Sequence, residues 1–299
     1  MDQIKGIYAA SLSLLNTDLA LDVKNTIKHA ENIIEMGCHG AVFFGSTGQS
    51  QLVSLSEKIQ LINELPNSKY KDKFIIGTGL NSLADTINLI KISKSIGFDT
   101  FLIMPPAYYK YGDEDVINFY SRIINEIKDC KIILYNFEKL SGYKFSKICV
   151  EKLVEKFPNQ IIGVKDSSYN LYEIIKIKNF SVMPGSESKL LKGLELGCQG
   201  IITATTNVTA SIARKVYEDF INNSPQKFNQ NLCDIRKTFE KYNLISGLHT
   251  FMSQKNKTFE NILPPLKLLP EDDKNELILN LKKLDFNIEN LKKKYDEFN

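Results

Sequence analysis

Arginine is nearly absent from this chain of 299 residues: Arg122, Arg214 and Arg236 are the whole complement, and none lies in a candidate site motif. Histidine is as scarce, with His29, His39 and His249 widely spaced. The cysteines Cys38, Cys130, Cys149, Cys198 and Cys233 are odd in number and form no C-x-x-C pair. Each shortage removes a class of function. Without His and Cys at ligand spacing, a tightly held zinc is not expected, and nothing in the sequence asks for another metal or a cofactor. Scattered cysteines fit a reducing, cytoplasmic setting better than a disulfide framework. There is no G-x-S-x-G elbow, although residue order alone leaves a Ser-His-Asp triad open. The net charge of +3 gives no electrostatic footprint for nucleic acid. No apolar run is long enough to span a membrane, and Met1 to Lys5 carry no signal-peptide core. The one concentrated charge, Lys292-Lys293-Lys294, reads as a solvated helix face.

What the chain does have is alternation. Its 43% hydrophobic content suffices for one large core. Short apolar runs read as strands at Ile4 to Ala10, Ala41 to Phe44, Phe74 to Ile76, Thr100 to Met104, Lys131 to Tyr135, Ile161 to Lys165, Ser181 to Met183 and Gly200 to Thr203. Helical spacing fills the intervals: Asp22 to Met36, a capping box at Ser54 opening a helix to Leu65, Leu83 to Ile96, Asp113 to Ile127 and Ser146 to Phe157. The rest are a short helix near Leu171 to Ile177, then Ser188 to Leu196 and Ala210 to Ile221. Gly37 to Phe44 echoes Gly197 to Ala204, as repeated units should, and Cys38 and Cys198 read there as packing residues. Eight such units predict an α/β fold, a TIM (β/α)8 barrel over residues 1–222. Residues 223–299 read as a C-terminal helical extension, Gln226 to Met252 and Asp272 to Glu297, broken at Leu263-Pro264-Pro265-Leu266. It is expected to pack on the barrel or a neighbouring subunit and to carry no chemistry of its own.

In such a barrel the C-terminal strand ends form the active-site mouth. Lys165 stands at one of them, and a lysine there, once neutral, can attack a carbonyl carbon. A solvated surface lysine is the competing reading. Four other strand ends offer partners. Gly45-Ser46-Thr47-Gly48-Gln49 could cradle a carboxylate with its amides and hydroxyls, or be an ordinary turn. Tyr135 could shuttle protons, or be a half-buried aromatic. Pro105-Pro106-Ala107-Tyr108-Tyr109 presents phenols on a stiff loop, for a site or for packing. Pro184-Gly185-Ser186-Glu187-Ser188 offers polar groups, or simply caps a helix. A lysine, a phenol and a carboxylate cradle suit Schiff-base chemistry on a 2-oxo acid, the iminium serving as electron sink.

These motifs, G-S-T-G-Q at 45–49, P-P-A-Y-Y at 105–109, Y-N-F-E-K-L-S-G at 135–142, G-V-K-D-S at 163–167 and P-G-S-E-S at 184–188, resemble the dihydrodipicolinate synthase / N-acetylneuraminate lyase family of pyruvate-dependent class I aldolases. The resemblance runs over nearly the whole chain. It implies Lys165 as the Schiff-base lysine and Tyr135 as the proton shuttle. Ser46 and Thr47 become the site of the pyruvate carboxylate, with Thr47 linked to Tyr135. Tyr108 matches a tyrosine lent across a dimer interface in homotetramers built as dimers of dimers. Ser167, Gly185, Glu187, Ser188 and Thr205 fall where the second substrate would lie. The implied partners are pyruvate and an aldehyde. Departures steer the choice of branch. Leu140, preceded by Lys139, stands where the synthase pattern has an arginine for the aldehyde substrate's carboxylate, and an arginine fork is hard to replace. Glu138 replaces a frequent proline and Gln49 a frequent glutamate. Glu187 is the only acidic residue where the sialic-acid lyase pattern has two. The expectation is a C–C lyase acting on a 2-keto-3-deoxy sugar acid. Behind it stand dihydrodipicolinate synthase activity, N-acetylneuraminate cleavage, a keto-acid dehydratase and a non-enzymatic metabolite-binding relative.

Overall fold

A computed structural model describes residues 3–289 and 291. Strand and helix alternate through β1 (Gly6–Ala10), α1 (Val23–Glu35), β2 (Gly40–Phe43), α2 (Leu55–Glu64), β3 (Phe74–Gly77), α3 (Leu83–Ser95), β4 (Thr100–Ile103) and α4 (Asp113–Glu126). Next come β5 (Lys131–Asn136), α5 (Glu138–Ser141), α6 (Lys147–Lys156), β6 (Ile161–Asp166), β7 (Ser181–Pro184), α7 (Leu190–Glu195), β8 (Gly200–Thr203) and α8 (Thr206–Ile221). The extension supplies α9 (Asn229–Glu240), α10 (Leu244–Ser253) and α11 (Glu271–Lys283). Polar caps start the helices where the sequence places them. Asp22, Ser82 and Ser146 each accept an amide of the first turn, and Ser54 with Glu57 forms a complete capping box. No helix among the described residues is long and apolar enough to cross a membrane.

The strands form one parallel sheet in the order β7-β6-β5-β4-β3-β2-β1-β8. Closure falls between β7 and β8, where the Gln199 amide donates to Val182 O (3.2 Å) and the Val182 amide donates to the Gln199 side-chain oxygen (2.7 Å). The fold is a TIM barrel. Val42, Ile75, Leu102, Ile133, Met183 and Ile202 fill its interior. A larger apolar layer lies between the strands and the helices. Residues of β1 and α8 share a further core with α9, α10 and α11, through side chains such as Ile7, Val216, Leu232, Phe251 and Leu281. The extension is therefore packed into the barrel's side.

Four expectations need correction. The segment between β6 and β7 holds no helix, only turns: Ile174 and Ile175 donate to Leu171 O, and Phe180 donates to Ile177 O. The Asp166 carboxylate takes the amides of Tyr169, Leu171 and Tyr172, and so wraps the backbone around a single point. Helix α8 starts at Thr206 rather than Ala210, because its polar first turn is buried and satisfied: Asn207 donates to Ala10 O and accepts from Leu12 N. The span Gln226 to Met252 is two helices, with Asn243 capping the second through the amides of Ile245 and Ser246. The last expected helix, Asp272 to Glu297, stops at Lys283, where Leu284 and Asp285 form a turn on Leu281 O and Lys282 O; its far end and the Lys292 to Lys294 run lie outside the described residues.

Candidate active site

Lys165 is buried, 2% exposed, inside the barrel. Simple alternation along β6 would not place it there. Ile161 packs in the outer layer, and Lys165 has the same parity as Ile161 on a regular strand. The pairing of β5 with β6 slips between Ile132 and Ile133: Ile132 faces Ile161, but Ile133 faces Gly163. One extra residue in β6 reverses the phase of everything after it. Val164 then packs outward, and Lys165 lies opposite Tyr135. Gly163 has no room for a side chain, since a Cβ would stand 2.6 Å from Ser181 O.

The pair is locked one residue further on. Asn136 Nδ2 donates to the Asp166 carboxylate (2.8 Å), and Asn136 Oδ1 accepts the Phe145 amide (3.1 Å). Burial holds the Asp166 carboxyl above its usual range, opposed by the three amides and by Asn136. Asp166 is therefore a staple between β5, β6 and the following loop. The Lys165 ammonium nitrogen lies 4.2 Å from the centre of the Tyr135 ring. The Tyr135 hydroxyl is 2.8 Å from Ser46 Oγ. The hydroxyl meeting Tyr135 is thus that of Ser46, not Thr47. Ser46–Gly48 is a 3-10 turn, in which successive side chains diverge by about 120°. Ser13 Oγ anchors this turn at Gly48 O (2.7 Å), where a Cβ would meet Ser11 O at 2.8 Å.

Above these groups opens a cavity of about 830 Å³. Ser46, Thr47, Tyr135, Lys165, Ser167 and Gly185 line it, so six of the expected residues come together. Gly185 is required by close approach: a Cβ there would overlap the Ser167 side chain. Glu187, Ser188 and Thr205 do not line the cavity. Glu187 is fully buried in the turn after β7, where it accepts from Thr203 Oγ1 (2.8 Å), Thr209 Oγ1 (3.3 Å) and Arg236 Nη1 (3.1 Å). Thr205 is buried beside Arg236 Nη1 (3.3 Å), and Ser188 Oγ is buried with no hydrogen-bond partner among the described residues. Tyr108 also stays away. It sits at a positive φ of 89° and is 90% exposed, its ring against that of Tyr109.

The extension contributes what sequence reasoning missed. Arg236 and Glu240 of α9, with Tyr242, Asn243, Leu244 and Ile245, complete the cavity wall. Arg236 is buried and donates from Nη1 to Glu187 and Thr203 (2.8 Å) and from Nε to Glu240 (2.7 Å). Burial works against its charge, but Glu187 and Glu240 outweigh it and hold the guanidinium protonated. The available signal was local: Arg236 sits four residues before Glu240 in a helix-like stretch, the spacing that pairs opposite charges on one face. Among the described residues no group of three or more His, Cys, Asp or Glu side chains could hold a metal ion.

This geometry has relatives. An N-acetylneuraminate lyase of Clostridium perfringens is 30% identical over 224 residues, 72% of this chain and 76% of that protein. A 4-hydroxy-tetrahydrodipicolinate synthase of Methanopyrus kandleri is 27% identical over 295 residues, 94% of this chain and 97% of that one. The crystal structure of YagE, a prophage protein of the dihydrodipicolinic acid synthase family from E. coli K12 in complex with pyruvate, superimposes with a TM-score of 0.85. It covers 95% of this chain and 100% of its own, at 23% identity, and so bears on the fold. The model of the Dihydrodipicolinate synthetase family matches residues 3–284. The chain belongs to that family and is a pyruvate-dependent lyase of the class I aldolase type.

Proposed function

We propose that the protein cleaves, and in reverse forms, the bond between C3 of pyruvate and the carbonyl carbon of a hydroxylated aldehyde, with a 2-keto-3-deoxy sugar acid as substrate. The observation that carries this reading is Lys165, buried against the Tyr135 ring at the floor of a large cavity, with Ser46 on the phenol's oxygen. The neutral Lys165 amine attacks C2 of the keto acid, and the C2 oxygen leaves as water with the proton of the Tyr135 hydroxyl, giving the iminium and a phenolate. Tyr135 accepts the proton of the C4 hydroxyl. The C3–C4 bond breaks, its electrons pass to the iminium nitrogen, and the aldehyde departs. Protonation at C3 and hydrolysis then release pyruvate and regenerate the amine. Ser46 orients the phenol and, with Thr47, borders the carboxylate. Tyr108, exposed on its loop, suits a role in a neighbouring copy's site within a homotetramer, and the whole reading suits a cytoplasmic enzyme.

Leu140 lines the cavity where a synthase would need a cation for aspartate semialdehyde, which favours the sugar-acid substrate over dihydrodipicolinate synthesis. Glu187, held in its ion pair, is not available to a sialic-acid chain. Borohydride reduction with pyruvate, read by peptide mass, is expected to leave a pyruvyl adduct on Lys165 that is absent in Lys165→Ala. Pyruvate release from a panel of keto-deoxy acids then ranks the substrates. A folded protein with no adduct on Lys165 overturns the mechanism. Faster turnover with aspartate semialdehyde than with any sugar acid overturns the substrate.

A further inference from the structure

We infer that the cavity wall supplied by α9 reads the far end of the substrate as a neutral, hydroxylated terminus and rejects a second anion, with Glu240 as the specificity-determining residue and Arg236 as the group that positions it. The inference rests on the sugar-acid reading above and adds to it which sugar acids are accepted.

Arg236 Nη1 is taken up by Glu187, Thr203 and Thr205, and Nε by Glu240, so among the described residues Nη2 has no protein partner. Glu240 accepts from Arg236 through one carboxylate oxygen at 2.7 Å, and its other oxygen has no protein donor. Both residues line the cavity. The Glu240 side chain is 41% exposed there, while that of Arg236 is 5% exposed and fixed from behind by Glu187. A donor and an acceptor thus stand side by side, held by their own ion pair. A hydroxyl group, at once donor and acceptor, matches such a pair. A phosphate or carboxylate needs an uncompensated cation instead. None is offered here, because two carboxylates flank one guanidinium and leave an excess negative charge. Lys139 also lines the cavity, but it is exposed on α5, where water screens its charge. The next residues extend the hydroxyl-reading surface, since Tyr242 and Asn243 follow Glu240 into the turn before α10.

The test compares kcat/KM for three substrates of the full-length enzyme. These are a six-carbon 2-keto-3-deoxy acid ending in a free hydroxyl, the same acid phosphorylated at C6, and a short 4-hydroxy-2-oxo acid without a tail. The wild type is expected to prefer the free terminus over the phosphate by at least about tenfold, the scale of one charged hydrogen bond. Glu240→Gln is expected to lose about tenfold on the free six-carbon acid, mostly in KM, and several-fold less on the short acid. The gap to the phosphorylated acid should shrink. An equal loss on all three substrates would make Glu240 merely structural and overturn the inference. So would a wild-type preference for the phosphate, and if Lys139→Met abolished that preference, Lys139 would be the tail's anchor. Failure of the aldolase reading is a separate outcome, seen as no pyruvate adduct on wild-type Lys165.

Discussion

The two halves of the cavity are built on different principles. The near half, Lys165, Tyr135 and Ser46, rests on strands and a strand-end turn: the register sets Lys165 opposite Tyr135, the Lys165 nitrogen lies over the Tyr135 ring, and the phenol meets the Ser46 hydroxyl. The far half, Arg236 and Glu240, rests on a helix from outside the barrel and is held by a buried ion pair. Bond-making chemistry needs fixed positions, and closed strands provide them. Selection among substrates can tolerate a wall brought in by a separate helix, where one or two side chains change the preference.

The sharpest way to break this division is to empty the near half. Lys165→Ala removes the proposed nucleophile, and kcat for pyruvate release should fall by about 10⁴-fold or more. Steady-state kinetics decide it. A loss below about 100-fold would move the chemistry elsewhere in the cavity. A second experiment attacks the register instead of the group. Gly163→Ala sets a Cβ against Ser181 O at the bulge that turns Lys165 inward. Overpacking of this kind costs about 1–3 kcal/mol, and a misplacement of about 1 Å can cost about 100-fold in rate. Urea denaturation and the rate of borohydride trapping should both register it. A normal trapping rate would show that the bulge is not what aims the lysine.

The far half should fail differently. Arg236→Met leaves Glu187 buried and unpaired, for which about 3–5 kcal/mol of destabilisation is expected. Adding Glu187→Gln removes the stranded charge and should recover part of that loss. If the double variant is no more stable than the single one, the ion pair is not what ties α9 to β7 and β8.

The same contrast explains what the sequence revealed. Eight strand ends were legible because short apolar runs bounded by turn residues carry a local signal, and Lys165 was found as a polar residue closing one. Its direction was not legible. Alternation counted from Ile161 points it out of the barrel, and the bulge that corrects this belongs to the pairing of two strands. Asp166 looked like a turn residue because its four partners come from β5 and from residues up to six positions ahead. Arg236 lies 71 residues beyond Lys165, and no local pattern links them; only packing of α9 on the barrel does. Glu187 was correctly seen as polar and at the right strand end, yet the arginine draws it away from the cavity.

Gln49 ties the turn that carries Ser46 to the C-terminal extension, and it yields the smallest predicted effect. Gln49, at the end of the Ser46 turn, has its amide nitrogen 3.5 Å from His249 Nε2 on α10, and its oxygen accepts the Leu263 amide at 2.8 Å. His249 Nδ1 is bonded to Phe259 O, so Nε2 is left to accept from Gln49 and the ring is neutral. Burial, opposed by the Phe259 carbonyl, pushes His249 down to about 4. Its folded value lies below the unfolded one of about 6.5, so the unfolded chain binds the proton more readily between those limits. Stability is therefore lost as pH falls from about 6.5 to about 4. Gln49→Glu keeps the acceptor for Leu263 and sets a carboxylate beside the ring, which favours the imidazolium. The acid loss of the variant, measured by chemical denaturation at a series of pH values, should be smaller than that of the wild type by on the order of 1–3 kcal/mol. Parallel curves would show that Gln49 and His249 do not sense each other. The turn carrying Ser46 and helix α10 would then not be coupled through this contact.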